Sequence, residues 1–391
     1  MPVPALVSPG PPLSRGQTTR YARHLLLPDV GETGQRRLLA ARVAVVGAGG
    51  LGSPVLLYLA AAGVGTITVI DDDVVEVTNL QRQVVHSADD VGRPKVDSAV
   101  EAVRALNPDC QVVGLAERVT AASAERLLAG HDLVLDGSDT FDTRYVVDAA
   151  CTALGVPLVW AAVYRSAAHL TTFWPGAPEG VPAVGLRDLF PHPPPPGSVP
   201  ACGDAGVLGA LVGQVGAMMA GEAIRLITGS GRPLCGRLLY IDAATSTQRE
   251  IPLAPSGAYV DGLPQGLMAP PAGPPGSGAD EGTPLITPTD LADRLAAPSP
   301  PTVLDVREAA EVAIGVVPGA RHLPVGELTD DPDLRSLGLE PDQELVLVCK
   351  AGPRAHLAAD VLRREGYQRL SVLEGGMLAW IDQVAPELPR Y

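Results

Sequence analysis

The sequence predicts an α/β chain of two domains, each built on a mainly parallel sheet, and three observations predict it. Apolar runs of strand length alternate with helically spaced segments in both halves. A glycine-rich turn, GAGGLG, joins the first such strand to the helix that follows. Between Pro255 and Pro284, 14 of 30 residues are Gly or Pro, a share that marks a linker rather than a core. The length of 391 residues, too great for one average core, agrees with two domains.

Residues 1–19 are Pro-rich and read as a flexible N-terminal tail. The first domain is expected over 20–254. RVAVVGAGG is a strand running into a turn, LGSPVLLYLAAAG a helix, and TITVIDDD a second strand. VDSAVEAVRALN (helix), CQVVGLAE (strand), SAERLLAG (helix), HDLVLDGSD (strand) and TRYVVDAACTALG (helix) continue the alternation. Such alternation implies right-handed crossovers and a sheet covered on both faces. The linker is placed at 255–283 and a second domain at 284–391. There TVLDVRE, ELVLVCK and LSVLEGG read as strands and RAHLAADVLRREG as a helix. The chain has no internal repeat.

A net charge of -15 argues against a nucleic-acid partner, because phosphate binding needs a basic footprint. No basic start followed by an apolar run opens the chain. The longest uncharged stretch, Ala205–Gly221, falls short of the roughly 20 residues that span a bilayer and reads as a buried helix, not a membrane span. Five widely spaced cysteines fit a cytoplasmic protein with reduced thiols. Cys110 and Cys151 lie in apolar strand and helix patterns and read as core, whereas Cys235 lies in a turn-like GRPLCGR.

Gly47, Gly49 and Gly52 form GxGxxG between strand and helix, where backbone N–H groups can meet phosphate oxygens. Asp71 ends the next strand, placed to accept from ribose hydroxyls. Taken alone, this is also the pattern of an NAD-dependent oxidoreductase. The residues that follow favour a triphosphate: Asn79, Arg82 and Gln83 in TNLQRQ and Lys95 in GRPK add two cations that a departing pyrophosphate needs. Asp136 and Asp139, in LDGSD, can reach the same crevice and offer hard oxygens to Mg²⁺.

GAGGLG, the Asp71–Asp73 segment, TNLQRQ, GRPK and DGSD, with RYARHLLLP upstream, resemble the MoeB/ThiF family of ubiquitin-activating-like adenylyltransferases. The resemblance covers roughly residues 18–252 and implies a Rossmann-like adenylation domain using ATP. It implies Gly50 near the α-phosphate, Asp71 and Asp73 at the nucleotide, and Thr78, Asn79, Leu80, Gln81, Arg82, Gln83 and Lys95 around the phosphates. Asp139 would hold Mg²⁺, with Thr140 where the family usually has Asn. Arg23 would reach a partner subunit's site in a homodimer. The substrate implied is a small ubiquitin-like sulfur-carrier protein of the MoaD or ThiS type, adenylated at its C-terminal glycine. Cys202, in VPACGDAG, stands where the family has a Cys on a crossover loop that takes up the acyl group or resolves an acyl disulfide; an idle surface Cys is the alternative.

Relatives of this kind carry two CxxC pairs that bind a structural zinc. Here Pro182 and Gly185 stand in the first pair's place, and PSGAYVDGL after the last strand contains no Cys. No zinc is expected.

Cys349 ends the apolar run ELVLV and opens CKAGPR ahead of a helix. Backbone N–H groups and the positive end of a helix dipole at such a turn stabilise a thiolate or persulfide anion, and Arg354 adds a positive charge. Pro353 removes one N–H donor from the loop. LDVRE, VPGARHLP, CKAGPR and LEGGMLAW resemble successive segments of a rhodanese domain over 284–391, with Val316 in place of a common His. Cys349 and Arg354 are separated by four residues, the short loop of sulfurtransferases; related phosphatases have one more. The implied sulfur donor is thiosulfate or a cysteine desulfurase. The alternative to a coupled enzyme is a silent activating-enzyme fold that docks a partner while only the rhodanese works.

Overall fold

The computed structural model describes residues 3–193, 206–257, 259–260, 263–264, 283–329, 334 and 338–390. They belong to two compact units, one before and one after the Gly/Pro-rich stretch.

The first unit is built on an eight-stranded sheet: β1 (Arg42–Val46), β2 (Thr66–Ile70), β3 (Gln111–Leu115), β4 (Leu133–Asp136), β5 (Leu158–Tyr164), β6 (Ala167–Phe173), β7 (Arg237–Asp242) and β8 (Thr247–Pro252). The spatial order is β3-β2-β1-β4-β5-β6-β7-β8. The first five are parallel and β6 to β8 continue antiparallel. The order reverses between β1 and β4, and the crevice beyond their carboxyl ends is where open α/β sheets bind ligands.

Nine helices flank these strands among the described residues: α1 (Arg15–Arg20), α2 (Ala22–Leu25), α3 (Gly31–Ala40), α4 (Gly52–Ala62), α5 (Lys95–Leu106), α6 (Ala124–Leu128), α7 (Phe141–Leu154), α8 (Leu186–Leu189) and α9 (Gly209–Thr228). Leu56 and Leu59 of α4, Val96 of α5 and Met219 of α9 pack in one apolar layer with Val43 and Val45. Leu128 of α6, Val147 of α7 and Trp160 pack in the other with Ala44 and Val46. Alternate residues of β1 thus enter opposite layers, which is why the central strands read as continuous apolar runs.

The helix expected from Ala205 begins at Gly209. Its mean hydropathy of 1.3 and 20 residues are enough to cross a membrane by length and composition, but it packs on α4 and β5. Glu222 in its middle is fully buried, accepts from Thr172 Oγ1 at 2.9 Å and from the Leu234 N–H, and pairs with Arg225.

Two expectations about the ends of this unit are corrected. The segment 1–19 is not a loose tail: Val3 and Val7 are buried, the Leu6 N–H donates to Leu226 O, and Ser14 caps α1 through a capping box with Gln17. Its spaced valines find an apolar seat on α9, which proline content alone does not show. The stretch 255–283 is not linker throughout, since β9 (Tyr259–Val260) and β10 (Leu263–Pro264) pair antiparallel.

The donor set does not fit a structural zinc. Pro182 lies against Gly236, where an added Cβ would come within 2.6 Å of the proline ring. Among the described residues no group of three His, Cys, Asp or Glu side chains is placed to hold a metal. A carboxylate joins the two loops instead. Asp188 accepts from the Gly185 N–H at 2.9 Å and from both the N–H and Oγ–H of Ser256 at 2.7 Å. Asp188→Ala removes all three bonds and is expected to cost about 1–3 kcal/mol, lowering Tm by roughly 2–10 °C for a unit of this size. A chelator should leave the wild-type melting curve unmoved; a chelator-induced drop, or an unchanged variant, refutes the clasp.

The second unit has a parallel sheet of order β11-β15-β14-β12-β13, from β11 (Leu285–Ile286), β12 (Thr302–Asp305), β13 (Arg321–His322), β14 (Leu345–Val348) and β15 (Leu370–Leu373). Its helices are α10 (Pro288–Leu295), α11 (Ala309–Val312), α12 (Val325–Thr329), α13 (Pro353–Arg364) and α14 (Gly376–Gln383). Arg307 and Asp305 form a fully buried pair with a closest approach of 2.6 Å; the guanidinium also donates to Glu311 O and Gly315 O.

Candidate active sites

At the switch point of the first unit lies a cleft of about 360 Å³. The turn after β1 forms its floor. Gly47 takes φ +90°, and a Cβ on Gly52 would stand 1.9 Å from Gly47 O, so the turn closes only with glycine at both. Gly50 passes close under Val212 of α9, where a Cβ would approach within 2.7 Å.

Gly49, Gly50, Asp71, Asp73, Arg82, Gln83, Lys95, Asp139 and Thr140 all line this cleft. Asp71 accepts from the N–H groups of Ala48 (Oδ2, 2.8 Å) and Asp73 (Oδ1, 2.9 Å). Burial raises its pKa, opposed by the charge of Lys95 and by those two N–H donors. Lys95 begins α5 and is itself buried, its Nζ 2.9 Å from Asp73 Oδ2. Arg82 donates to Thr78 O at 3.2 Å. Thr140 caps α7 by accepting from the Thr143 N–H, a task Thr performs as Asn does.

Other expected residues sit elsewhere. Thr78, Asn79, Leu80 and Gln81 do not line the cleft. Thr78 and Gln81 are exposed, and buried Asn79 shapes the loop by accepting from the Glu76 N–H at 3.2 Å. Arg23 is exposed on α2 and is not among the cleft residues. Asp136 does not share the crevice with Asp139. It is fully buried at the end of β4, accepts from the Ser138 N–H at 2.9 Å, and burial drives its pKa up. Strand-end position alone does not tell which carboxylate faces the crevice. Cys202 lies outside the described residues.

Several lining residues carried no sequence signal of their own. Arg118 pairs with Asp72 at 2.8 Å, and Arg144 donates to Ser138 O while lying over the Phe141 and Trp160 rings. Val163 and Val207 complete an apolar wall.

In the second unit Cys349 follows β14 and is buried, 1% exposed. Its Sγ accepts from the Gly352 N–H at 3.0 Å. Pro353 is the first residue of α13, a position whose N–H has no intrahelical partner, so its missing donor costs the helix nothing. The N–H groups of Met377 and Leu378, at the start of α14, donate to Cys349 O and Lys350 O. Arg354 does not stand as an uncompensated cation. Buried Glu311 holds it in a two-point pair at 2.7 and 2.8 Å. Cys110 and Cys151 are core residues as expected, and burial raises the Cys110 thiol to about 11. Cys235 is also buried and pushed up to about 12, because GRPLCGR folds back onto α9 rather than forming an exposed turn.

The ThiF family model matches residues 21–258, and the rhodanese-like domain model matches 287–383. The chain is 42% identical over 396 aligned positions to "Probable adenylyltransferase/sulfurtransferase MoeZ" of Mycobacterium tuberculosis (strain CDC 1551 / Oshkosh), covering 100% of this chain and 99% of that one. It is 49% identical over 240 positions to "SAMP-activating enzyme E1" of Haloferax volcanii, covering 61% of this chain and 87% of that protein. Among solved structures, E. coli MccB superposes with TM-score 0.54 at 22% identity, covering 62% of this chain and 71% of that one, a likeness of fold. The chain belongs to the ThiF family, and with its rhodanese-like domain it is an adenylyltransferase and sulfurtransferase.

Proposed function

We propose that the enzyme adenylates the C-terminal glycine of a small ubiquitin-like sulfur-carrier protein and then replaces the activated oxygen with sulfur from Cys349. The observation that carries the first half is the convergence of Gly49, Gly50, Asp71, Arg82, Lys95 and Asp139 on one cleft at the switch point. The N–H groups of the glycine turn face the α-phosphate, Asp71 takes the ribose, and Arg82 and Lys95 meet the β- and γ-phosphates. Asp139 fits Mg²⁺, which keeps most of its ligands as water and phosphate oxygen and needs only one or two carboxylates; bound there it would add positive charge beside the departing pyrophosphate. A carrier carboxylate oxygen attacks the α-phosphorus, the bond to pyrophosphate breaks, and an acyl-adenylate forms. The protein contributes position and charge.

The Cys349 thiolate attacks the sulfane sulfur of thiosulfate or of a desulfurase persulfide, the donor's S–S bond breaks, and sulfite or the desulfurase thiolate leaves. The terminal persulfide sulfur attacks the acyl carbon and AMP leaves, giving an acyl disulfide. A thiol, Cys202 or an external reductant, then breaks the S–S bond and releases the carrier thiocarboxylate. Arg23 would complete the cleft of a second subunit in a homodimer. In the test, wild-type enzyme is incubated with ATP, Mg²⁺, thiosulfate and MoaD- or ThiS-type carriers, and the carrier is weighed intact. One sulfur should replace one oxygen. Carriers that gain neither AMP nor sulfur would sink the proposal.

A further inference from the structure

Behind the nucleotide cleft lies a buried histidine to which none of the steps above gives a part. His86 has its Nε2 2.9 Å from Ala48 O and its Nδ1 2.5 Å from Ser98 Oγ, and both His86 and Ser98 are buried. A carbonyl oxygen only accepts, so Nε2 carries the proton. In the neutral ring Nδ1 is then an acceptor, and the Ser98 hydroxyl donates to it. Burial holds the imidazole below its ordinary range and Lys95 adds to this, against the Ala48 carbonyl and the carboxylates of Asp90 and Asp71.

Ala48 is the second residue of the GAGGLG turn, and both of its backbone polar groups are held by side chains. Its N–H donates to Asp71 Oδ2 at 2.8 Å, and its carbonyl accepts from His86. The consequence is geometric. In a planar trans peptide the C=O of one residue and the N–H of the next point in opposite directions. Drawing the Ala48 carbonyl back onto His86 therefore turns the Gly49 N–H outward, and Gly49 lines the cleft. With glycine at 47, 49 and 50, little steric resistance opposes rotation of this peptide plane. Rotated by half a turn, it would present a carbonyl oxygen to a phosphate instead of a donor.

We infer that His86 is a positioning residue for the adenylation reaction: its Nε2–H, with the ring anchored at Nδ1 by Ser98, locks the Ala48–Gly49 peptide so that the Gly49 N–H faces a nucleotide phosphate. The inference rests on the cleft binding ATP. It also assigns Ser98, three residues beyond Lys95 on the same helix, the task of holding the ring in place through Nδ1.

The test compares His86→Leu, which lacks a donor, with His86→Gln, whose amide N–H can reach the same carbonyl, and with Ser98→Ala. ATP Kd by calorimetry, KM and kcat in carrier-dependent ATP–pyrophosphate exchange, and Tm are measured for each. For His86→Leu, Kd and KM for ATP should rise about fivefold to tenfold, the worth of one oriented hydrogen bond, with kcat changed less. His86→Gln should restore most of the loss, and Ser98→Ala should fall between. The ¹⁵N spectrum of histidine-labelled wild-type enzyme should show the Nε2-protonated tautomer. Unchanged ATP affinity in folded His86→Leu, a Gln variant as weak as Leu, or an Nδ1-protonated ring overturns the inference. Where His86→Leu does not fold, the Gln and Ser98→Ala affinities and the wild-type tautomer decide. Wild-type enzyme that binds ATP without exchange would instead refute the adenylation reading and leave the His86 comparison standing on Kd.

Discussion

Cys349→Ala should reduce carrier thiocarboxylate made from thiosulfate to background while leaving carrier-dependent ATP–pyrophosphate exchange at the wild-type rate. Without a thiol there is no persulfide, and the described residues offer no other cysteine suited to the task. Cys110, Cys151 and Cys235 are buried in the first unit, with thiols that burial holds protonated. Alanine loses only the sulfur atom and with it the bond from the Gly352 N–H, while the Met377 and Leu378 N–H groups of α14 keep their backbone acceptors at residues 349 and 350. The acyl-adenylate should accumulate, and inorganic sulfide, a nucleophile that bypasses the persulfide, should restore thiocarboxylate. Full-rate product from thiosulfate in this variant would remove the second unit from the sulfur pathway. Intact-mass analysis of the carrier reads thiocarboxylate, acyl-adenylate and the sulfide rescue, and the exchange assay reads the adenylation rate.

Lys95→Ala should lower ATP–pyrophosphate exchange by about a hundredfold to a thousandfold, the usual loss when one preorganised charge at a reacting centre is removed. Lys95 is 6% exposed and lies among low-dielectric walls, where its charge acts with little screening. Its partner Asp73 has a side chain 61% exposed and can rehydrate, while Asp71 loses the charge that offsets its burial but keeps its two N–H donors, so Tm should fall only modestly. Thiosulfate sulfurtransferase activity, which we assign to Cys349, should be unchanged. A variant that exchanges pyrophosphate within a few fold of wild type would mean that Lys95 serves the Asp73 loop and not the phosphates.

Much of the first site was legible because its chemistry is carried by local patterns. GAGGLG requires glycine wherever it occurs, and Asp71 ends its strand wherever that strand is placed. Lys95, in GRPK, was legible as a second cation for a triphosphate; that it begins α5 and pairs with Asp73 came only from the structure. Asp136 and Asp139 show the limit. Three residues apart, both were expected to reach the crevice, yet Asp136 is fully buried at the end of β4 and only Asp139 lines the cleft. Arg354 shows it again. Its distance along the chain from Cys349 was plain, but Glu311, which neutralises it, lies 43 residues away.

By itself, the sequence determined the two α/β units, the glycine turn after β1, the Cys349 loop and the cations proposed to meet a triphosphate. These depend on residue type and on spacings within one turn or one crossover. Only the tertiary structure decided which groups are paired before any ligand arrives: Lys95 with Asp73, Arg354 with Glu311, His86 with Ala48, and Asp188 with Ser256. The reason is physical. A charge or hydrogen bond acts over a few ångströms of space, and the partners that set its strength come from whichever distant segment the packed core brings alongside.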